Sequence, residues 1–432
     1  MRVIGACSNC KKRKERCDPG IPCKSCLEHY KGDLVQNPCR DRLLSDLSDA
    51  FLSDRLGWHP TARPLESFFS ASQPEFYTHS SYMIPLKLGF GSSLYLPVHA
   101  LQVDDTDTLL HDHVVYAWPP TSSTGEQHTH AVLPAILTPE AEASLHDTLH
   151  GHLSLLVTHH FRSFPLYCSQ LRILREVYIF YRSLPSNSLH SRLLHQALKL
   201  LVLVHIGGDL ALPHPSTDPI LTNLVQATMS HLPNDETITP TPCFIRAQFG
   251  AIMPSLALSL MKDVLSSLEQ LFLNRECHEW PLALAVSIVV LLTIESVHYH
   301  AAKLPYHASF DTHKRTRSDE ELCRSDNTGV TTLLRFYAAC FSGCHARLKP
   351  DWEGEVAQTS IYDTTSTSFG TGTIDPATGL KAEDKFVESV REAVRKASPG
   401  GYLVRKASGE REGESMEWFF DRLVARLLVL KV

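Results

Sequence analysis

From about residue 134 onward, apolar positions recur every three or four residues, the spacing of helices that bury one face. Thr138-Pro139-Glu140 reads as a capped helix start. After it come LHDTLHGHLSLLVTHHF, LYCSQLRILREVYIFYRSL and HSRLLHQALKLLVLVHIGG, the last closing on Gly207-Gly208, a helix stop. Further helices are predicted over 249–273, 281–300 and 329–348, with a final one over 415–431. The run Leu282 to Ile294 is the most apolar in the chain, yet it is too short for the roughly 20 residues of a membrane span, so a helix buried on all sides is expected and no membrane.

The stretch before 134 has a different texture. Leu44, Leu47 and Phe51, extended by Leu52 and Leu56, predict a short amphipathic helix over 42–56. It holds at most two heptads where a stable coiled coil needs about three or four, so it reads as a packing helix, with dimerisation through it left open. Residues 57–130 are punctuated by Pro60, Pro64, Pro74, Pro85, Pro97, Pro119 and Pro120, and strand signals are few, so a linker with some loosely packed elements is expected there. GFGSS at 89–93 reads as a plain turn, and the pairs His111/His113 and His128/His130 as surface polar residues. Order weakens again between 350 and 414, where TSIYDTTSTSFGTGTIDPATG and SPGGY predict flexible loops over about 350–385 and 398–414. A passive loop suits the first of these better than an acidic transactivation segment, because acidic and bulky apolar residues do not alternate in it.

The first forty residues follow neither pattern. They carry six cysteines, Cys7, Cys10, Cys17, Cys23, Cys26 and Cys39, spaced C-x2-C-x6-C-x5-C-x2-C-x12-C. A C-x2-C pair can grip one metal ion, and here the unit is repeated. Structural zinc takes four thiolates in a tetrahedron, so one ion would leave two cysteines idle, whereas two ions are satisfied if two cysteines each bridge the pair. So short a segment, with few large apolar side chains, cannot fold on a core alone; metal binding must supply the folding free energy. The rival readings are a disulfide module, for which no secretory signal precedes the cysteines, and a structural zinc knot without nucleic-acid contact.

Charge favours nucleic acid. The chain has a formal charge of −6, yet residues 1–42 hold ten Lys/Arg against five Asp/Glu, leaving 31 against 42 in the rest. Between Cys10 and Cys17 stand Lys11, Lys12, Arg13, Lys14, Glu15 and Arg16, which can form a short helix fixed at both ends by metal ligands and directed into the DNA major groove. Such a run is also a common solvated surface or nuclear-import signal, and the two readings are compatible. The other cysteines, Cys168, Cys243, Cys277, Cys323, Cys340 and Cys344, lie in apolar surroundings without metal spacing and read as buried thiols of a reducing compartment, nucleus or cytosol.

The amino-terminal stretch resembles the Zn2Cys6 (binuclear zinc cluster) transcription factors of fungi. Lys11, Lys14 and Arg16 fall on the basic positions of that family's pattern, and Pro22 precedes the fourth cysteine as it usually does there. The resemblance implies two Zn2+ per chain, with Cys7 and Cys23 as the bridging thiolates. It further implies that Lys14, with Arg13 beside it, reaches bases, typically of a CGG-type triplet; the neighbouring cations Lys11, Lys12, Arg16 and Lys24 are expected to hold phosphates. The twelve-residue last spacer, LEHYKGDLVQNP, is about twice the family's usual length; Lys31-Gly32-Asp33 and Asn37-Pro38 suggest that it bulges out as a loop. His29 within it is a poor rival ligand beside six cysteines.

The fold class expected is therefore a small metal-organised Zn2Cys6 domain followed by a mostly all-α helical body with disordered linkers. Its divisions are 1–42 for the DNA-binding domain, 43–133 for the short helix and Pro-rich linker, and 134–432 for an all-α regulatory domain. No G-x-S-x-G elbow, P-loop or HExxH motif is present, and no enzyme is expected. The function expected is a nuclear, zinc-dependent, sequence-specific DNA-binding regulator of RNA polymerase II-type transcription. Its partners would be double-stranded DNA, co-regulators or the transcription machinery, and a possible second copy of the chain. The alternative is a ligand-sensing or partner-binding adaptor whose zinc cluster is only structural.

Overall fold

The structure, a computed structural model, describes residues 6–18, 22–30, 39, 44–52, 65–68, 75–103, 109–115, 126–165, 169–207, 210–230, 240–274, 276–303, 315–348, 381–409 and 416–430. The spacer turns at 31–33 and 37–38 and the loop at 350–380 lie outside these residues. Two short helices form the amino-terminal head, α1 (Ser8–Arg13) and α2 (Lys24–His29). A 3-10 turn over Leu44–Leu47 then leads into α3 (Ser48–Phe51), which is shorter than the helix expected over 42–56. Leu44, Phe51 and Leu52 are buried in the body's core. The Leu44 N–H donates to the Glu269 carboxylate at 2.8 Å, and Asp49 lies 3.9 Å from Lys262.

The body is mostly helical, and its helices begin and end where local chemistry allows. Thr138 accepts from the Ala141 N–H at the start of α4 (Pro139–Ala143), and α5 (Leu145–Leu155) follows directly. After α6 (Ile173–Ser183), α7 (Leu189–Ile206) stops at Gly207, whose φ of 57° is the left-handed conformation that glycine adopts without strain. Next come α8 (Pro219–Met229), the long helices α9 (Cys243–Asn274), α10 (Trp280–Lys303) and α11 (Arg315–His345), and then α12 (Ala382–Ala397), α13 (Tyr402–Ser408) and α14 (Arg422–Leu428). Trp280 through Leu291 are buried without a break, and Ile294 continues the run. Two helices, over 243–274 and 280–300, are long and apolar enough to cross a membrane, and 89% of the apolar window of the second is buried inside the protein, as in a core helix.

The region expected to be an irregular linker departs most from the sequence reading, because it contains strands. β1 (Glu75–Leu88) and β2 (Leu94–Gln102) form an antiparallel hairpin, and β5 (Ala135–Leu137) and β6 (Leu210–Ala211) complete the sheet in the order β5-β2-β1-β6. A second sheet sets β3 (Leu110–Val115) against β4 (Glu126–Val132), which pairs in parallel with β7 (Pro240–Thr241). Ile84, Leu86, Leu88, Leu94, Leu96, Val98 and Ala100 alternate inward and share one core with Leu198, Phe249, Leu284, Val390 and Val424 of the helices. Pro85 and Pro97 hid this pattern. Both lie within the hairpin, but neither is opposite a residue of β5 or β6, so their missing N–H groups interrupt neither outer ladder. The turn at 89–93 closes the hairpin, and a Cβ at Gly91 (φ 79°) would come within 2.8 Å of His160 and Leu156. The two HxH pairs face each other in the ladder, His111 opposite His130 and His113 opposite His128.

Within the stretch expected as a second loop, Pro399–Gly401 form a 3-10 turn that leads into the helix Tyr402–Ser408. Leu403 is buried, and the Tyr402 hydroxyl donates to Asp421 at 2.8 Å. Asp421 also accepts from the Ser169 hydroxyl and the Gln170 and Leu171 N–H groups, tying the carboxyl-terminal helices to the segment before α6. Beside it, Glu295 of α10 accepts from the Leu423 N–H and, at 3.4 Å, from the Val424 N–H. Full burial, with the Asp421 carboxylate adding to it, pushes the Glu295 carboxyl up to about 8.

Candidate metal centre and nucleic-acid interface

All six cysteines of the head converge. Their sulfurs form two quartets, Cys7, Cys10, Cys17 and Cys23 in one and Cys7, Cys23, Cys26 and Cys39 in the other, with the ligand atoms of each quartet within 4.8 Å of one another. Cys7 and Cys23 belong to both. The two halves are built alike. Cys7 caps α1, its Sγ accepting from the Cys10 N–H at 3.3 Å; Cys23 caps α2, its Sγ accepting from the Cys26 N–H at 3.5 Å. The Cys7 N–H in turn donates to Cys17 Sγ at 3.4 Å, and the Cys23 N–H to Cys39 Sγ at 3.1 Å. The repeated C-x2-C unit is therefore a structural repeat, each copy placing a shared sulfur at the start of a helix.

The donor set fits zinc. A tetrahedron with Zn–S bonds of about 2.3 Å has S···S edges of roughly 3.8 Å. The observed Sγ···Sγ separations are 4.0 Å for Cys7–Cys23, 3.6 Å for Cys7–Cys26 and 3.4 Å for Cys10–Cys23. Burial pushes the Cys23, Cys26 and Cys39 thiols up. Burial is also the largest influence on Cys7 and acts in the same sense, but hydrogen bonds from the Cys10 N–H and with the Cys10 and Cys26 thiols together outweigh it and leave the thiol below its ordinary value. A coordinated cation removes the burial penalty, because a ligating thiol is deprotonated outright. Among the described residues, Leu27, Tyr30 and, from the end of α9, Leu273 pack against the sulfurs. His29 is exposed and lies 3.1 Å from Glu15, in contact with a carboxylate.

The basic helix leaves this centre with its cations in its last turn, where they complement the carboxyl-terminal end of the helix dipole. Lys11, Lys12, Lys14, Arg16 and Lys24 are exposed. Lys14 ends α1 in the left-handed conformation (φ 57°), its N–H held 3.3 Å from the Lys11 carbonyl. Arg13 is placed differently. Its guanidinium donates to the Ser25 hydroxyl at 2.7 Å and to Glu15 at 3.2 Å, and lies over the Tyr30 ring, 4.7 Å from its centroid. Ser25 also donates to Glu15; that bond, with Arg13 and His29 nearby, holds the Glu15 carboxyl below the usual carboxylate range. Sequence reasoning did not identify Glu15, Ser25, Tyr30 or Asn9, whose side-chain amide contacts Cys26 Sγ at 3.8 Å. The one available signal was Glu15, the single acid in an otherwise cationic run.

Of the remaining cysteines, Cys243 is buried and Cys340 and Cys344 are half-buried, but Cys277 is exposed, contrary to the buried thiol expected from its apolar neighbours. Cys168 and the side chain of Cys323 lie outside the described residues.

A sulfur centre that orders a basic helix defines a class of zinc-binding, DNA-binding heads. Residues 5–32 match the family model of the fungal Zn(2)-Cys(6) binuclear cluster domain. Residues 35–427 match that of the KpeA transcription factor, so the chain belongs to the KpeA transcription factor family. No curated protein and no solved structure matches the chain. The protein is thus a zinc-binding, DNA-binding transcription regulator, of a non-enzymatic class, whose cysteine cluster holds the metal.

Proposed function

We propose that the protein is a nuclear, sequence-specific regulator of RNA polymerase II transcription whose DNA binding depends on two zinc ions. In this reading Cys7 and Cys23 bridge the ions, while Cys10 and Cys17 complete one tetrahedron and Cys26 and Cys39 the other. The observation that carries it is the sharing of Cys7 and Cys23 between two sulfur quartets, at the start of a helix whose lysines, Lys11 and Lys12, are exposed. Lys14 inspects base edges, typically of a CGG-type triplet, and Lys11, Lys12, Arg16 and Lys24 hold phosphates. Arg13, engaged by Glu15, Ser25 and Tyr30, braces α1 against α2 in this conformation and reaches DNA only if that contact opens.

The functional division is a head over 1–42 and a regulatory body. The strands of 75–137 supply part of the body's core, so in this reading the body takes in much of the segment between 43 and 133. A homodimer reading two half-sites would pair through a surface other than 44–52, whose apolar side chains lie against the body. Co-regulators would meet the body.

Selection from a random duplex pool, with the full chain in zinc and with Cys7→Ala, tests this reading. A recovered consensus containing a CGG-type triplet, lost in the variant, is the expected result. Absence of any preferred sequence from the zinc-loaded chain would leave the cluster structural and the protein a partner-binding adaptor.

A further inference from the structure

The turn between α9 and α10 carries Cys277, exposed, and the last turn of α11 carries Cys344, half-buried. These residues are 67 positions apart in sequence, yet their sulfurs lie 3.3 Å from each other, the Cys344 thiol donating to Cys277 Sγ. Both sides of the contact are anchored. The Trp280 indole N–H, at the start of α10, donates to the Tyr337 hydroxyl of α11 at 2.7 Å, and the same hydroxyl lies 3.0 Å from His345 Nδ1. Arg347 covers the Trp280 ring, its guanidinium carbon 5.6 Å from the centroid. Trp280 and Tyr337 are fully buried, so the two thiols are held together by a rigid polar and aromatic seam.

We propose that Cys277 and Cys344 are a redox-modification site, forming a reversible disulfide when a hydroperoxide reaches the turn. The two thiols have different parts. Cys277 is the exposed sulfur and the hydrogen-bond acceptor, so it meets the oxidant first. Its thiolate attacks the peroxide oxygen, the O–O bond breaks, and Cys277 sulfenic acid forms as the alcohol or water leaves. Burial, with Cys277 adding to it, pushes the Cys344 thiol up to about 12, which keeps its hydrogen on sulfur until the sulfenic acid is made. Cys344 then displaces hydroxide from the Cys277 sulfur, its own proton completing a water molecule, and the S–S bond closes. In sum, two thiols lose two electrons and two protons, and one hydroperoxide is reduced to an alcohol (or water) and water.

The site is separate from the six head thiols, and it bears on them by position. Leu273, at the end of α9 just before this turn, packs against the sulfur cluster. A disulfide would pin the turn to the end of α11 beside that contact.

The test uses the full-length, zinc-loaded chain, exposed to limiting hydrogen peroxide, alkylated, digested and mapped by mass spectrometry while released zinc is followed. The expected product is a pair of peptides joined through Cys277 and Cys344, two hydrogens lighter than the reduced pair, reversed by dithiothreitol and formed without zinc release. Cys277→Ser and Cys344→Ser each abolish it, and Cys340→Ser leaves it unchanged. The proposal is overturned if peroxide first oxidises the head cysteines with loss of zinc, if Cys277 joins Cys340 in preference, or if Cys277 is oxidised to the sulfinic acid with no cross-link. Because the wild-type chain gives the decisive readout, the test does not depend on either variant folding well.

Discussion

The head and the body of this protein solve the same folding problem by different means. In the body, large apolar side chains such as Phe180, Phe249, Phe272 and Trp280 are buried in one continuous core, and apolar burial offsets the conformational entropy of the chain. In the head the buried apolar cluster is made of cysteines, and among the described residues Leu27, Tyr30 and Leu273 pack around them. Take away the metal and the described residues of the head have sulfurs and cations but no large apolar core. The same comparison bears on the proposed DNA contact: metal–thiolate bonds would fix a short helix without covering it, and its Lys11 and Lys12 are exposed.

Removing the metal should break the two regions apart most sharply. Structural zinc contributes roughly 10–16 kcal/mol in small zinc-folded domains, so chelation or Cys7→Ala is expected to unfold the head and abolish DNA binding. The body's helical signal and melting transition should persist, as circular dichroism would show. The converse change is Phe249→Ala in the core, expected to cost about 3–5 kcal/mol. Chemical denaturation should report that loss in the body while bound zinc stays constant. If either change melted both regions together, head and body would be one cooperative unit.

Smaller effects sharpen the comparison within each region. In the head, Lys14→Gln should weaken binding to the selected site by about 1–3 kcal/mol and relax base preference. Lys12→Gln should instead weaken all sequences alike and reduce the slope of log K against log salt by about one. Titrations against matched and mismatched duplexes at several salt concentrations separate the two. In the body, Glu295 has a folded value of about 8, above its ordinary 4.5, so the folded state holds its proton more tightly than the unfolded state. Stability from this group is therefore complete below about pH 4.5 and is lost as pH rises through about 8. Glu295→Gln should flatten the fall in melting temperature between pH 5 and 8, a change that scanning calorimetry would detect.

How much of this could be read from the chain depended on what kind of interaction did the work. The cysteine spacing is local and chemically unambiguous, and it pointed to the centre that the sulfurs form. Helices with strong periodicity and clear stops, such as α7 ending at Gly207, were equally legible. The hairpin of β1 and β2 was not, because Pro85 and Pro97 read as breakers until the sheet showed that neither faces an outer strand. Nor was the inward turn of Arg13, which depends on Glu15 and on Ser25 and Tyr30 from the other half of the head. Cys277 and Cys344 are likewise distant in sequence, and only the packing of three long helices brings them together.

The central claim is that six sulfurs share two zinc ions, with Cys7 and Cys23 common to both. Zinc content of the purified full-length chain, reduced and metal-replete, measured by elemental analysis against protein concentration from amino-acid analysis, tests it most directly. Two equivalents per chain are predicted, and one equivalent or fewer would contradict the shared-sulfur centre.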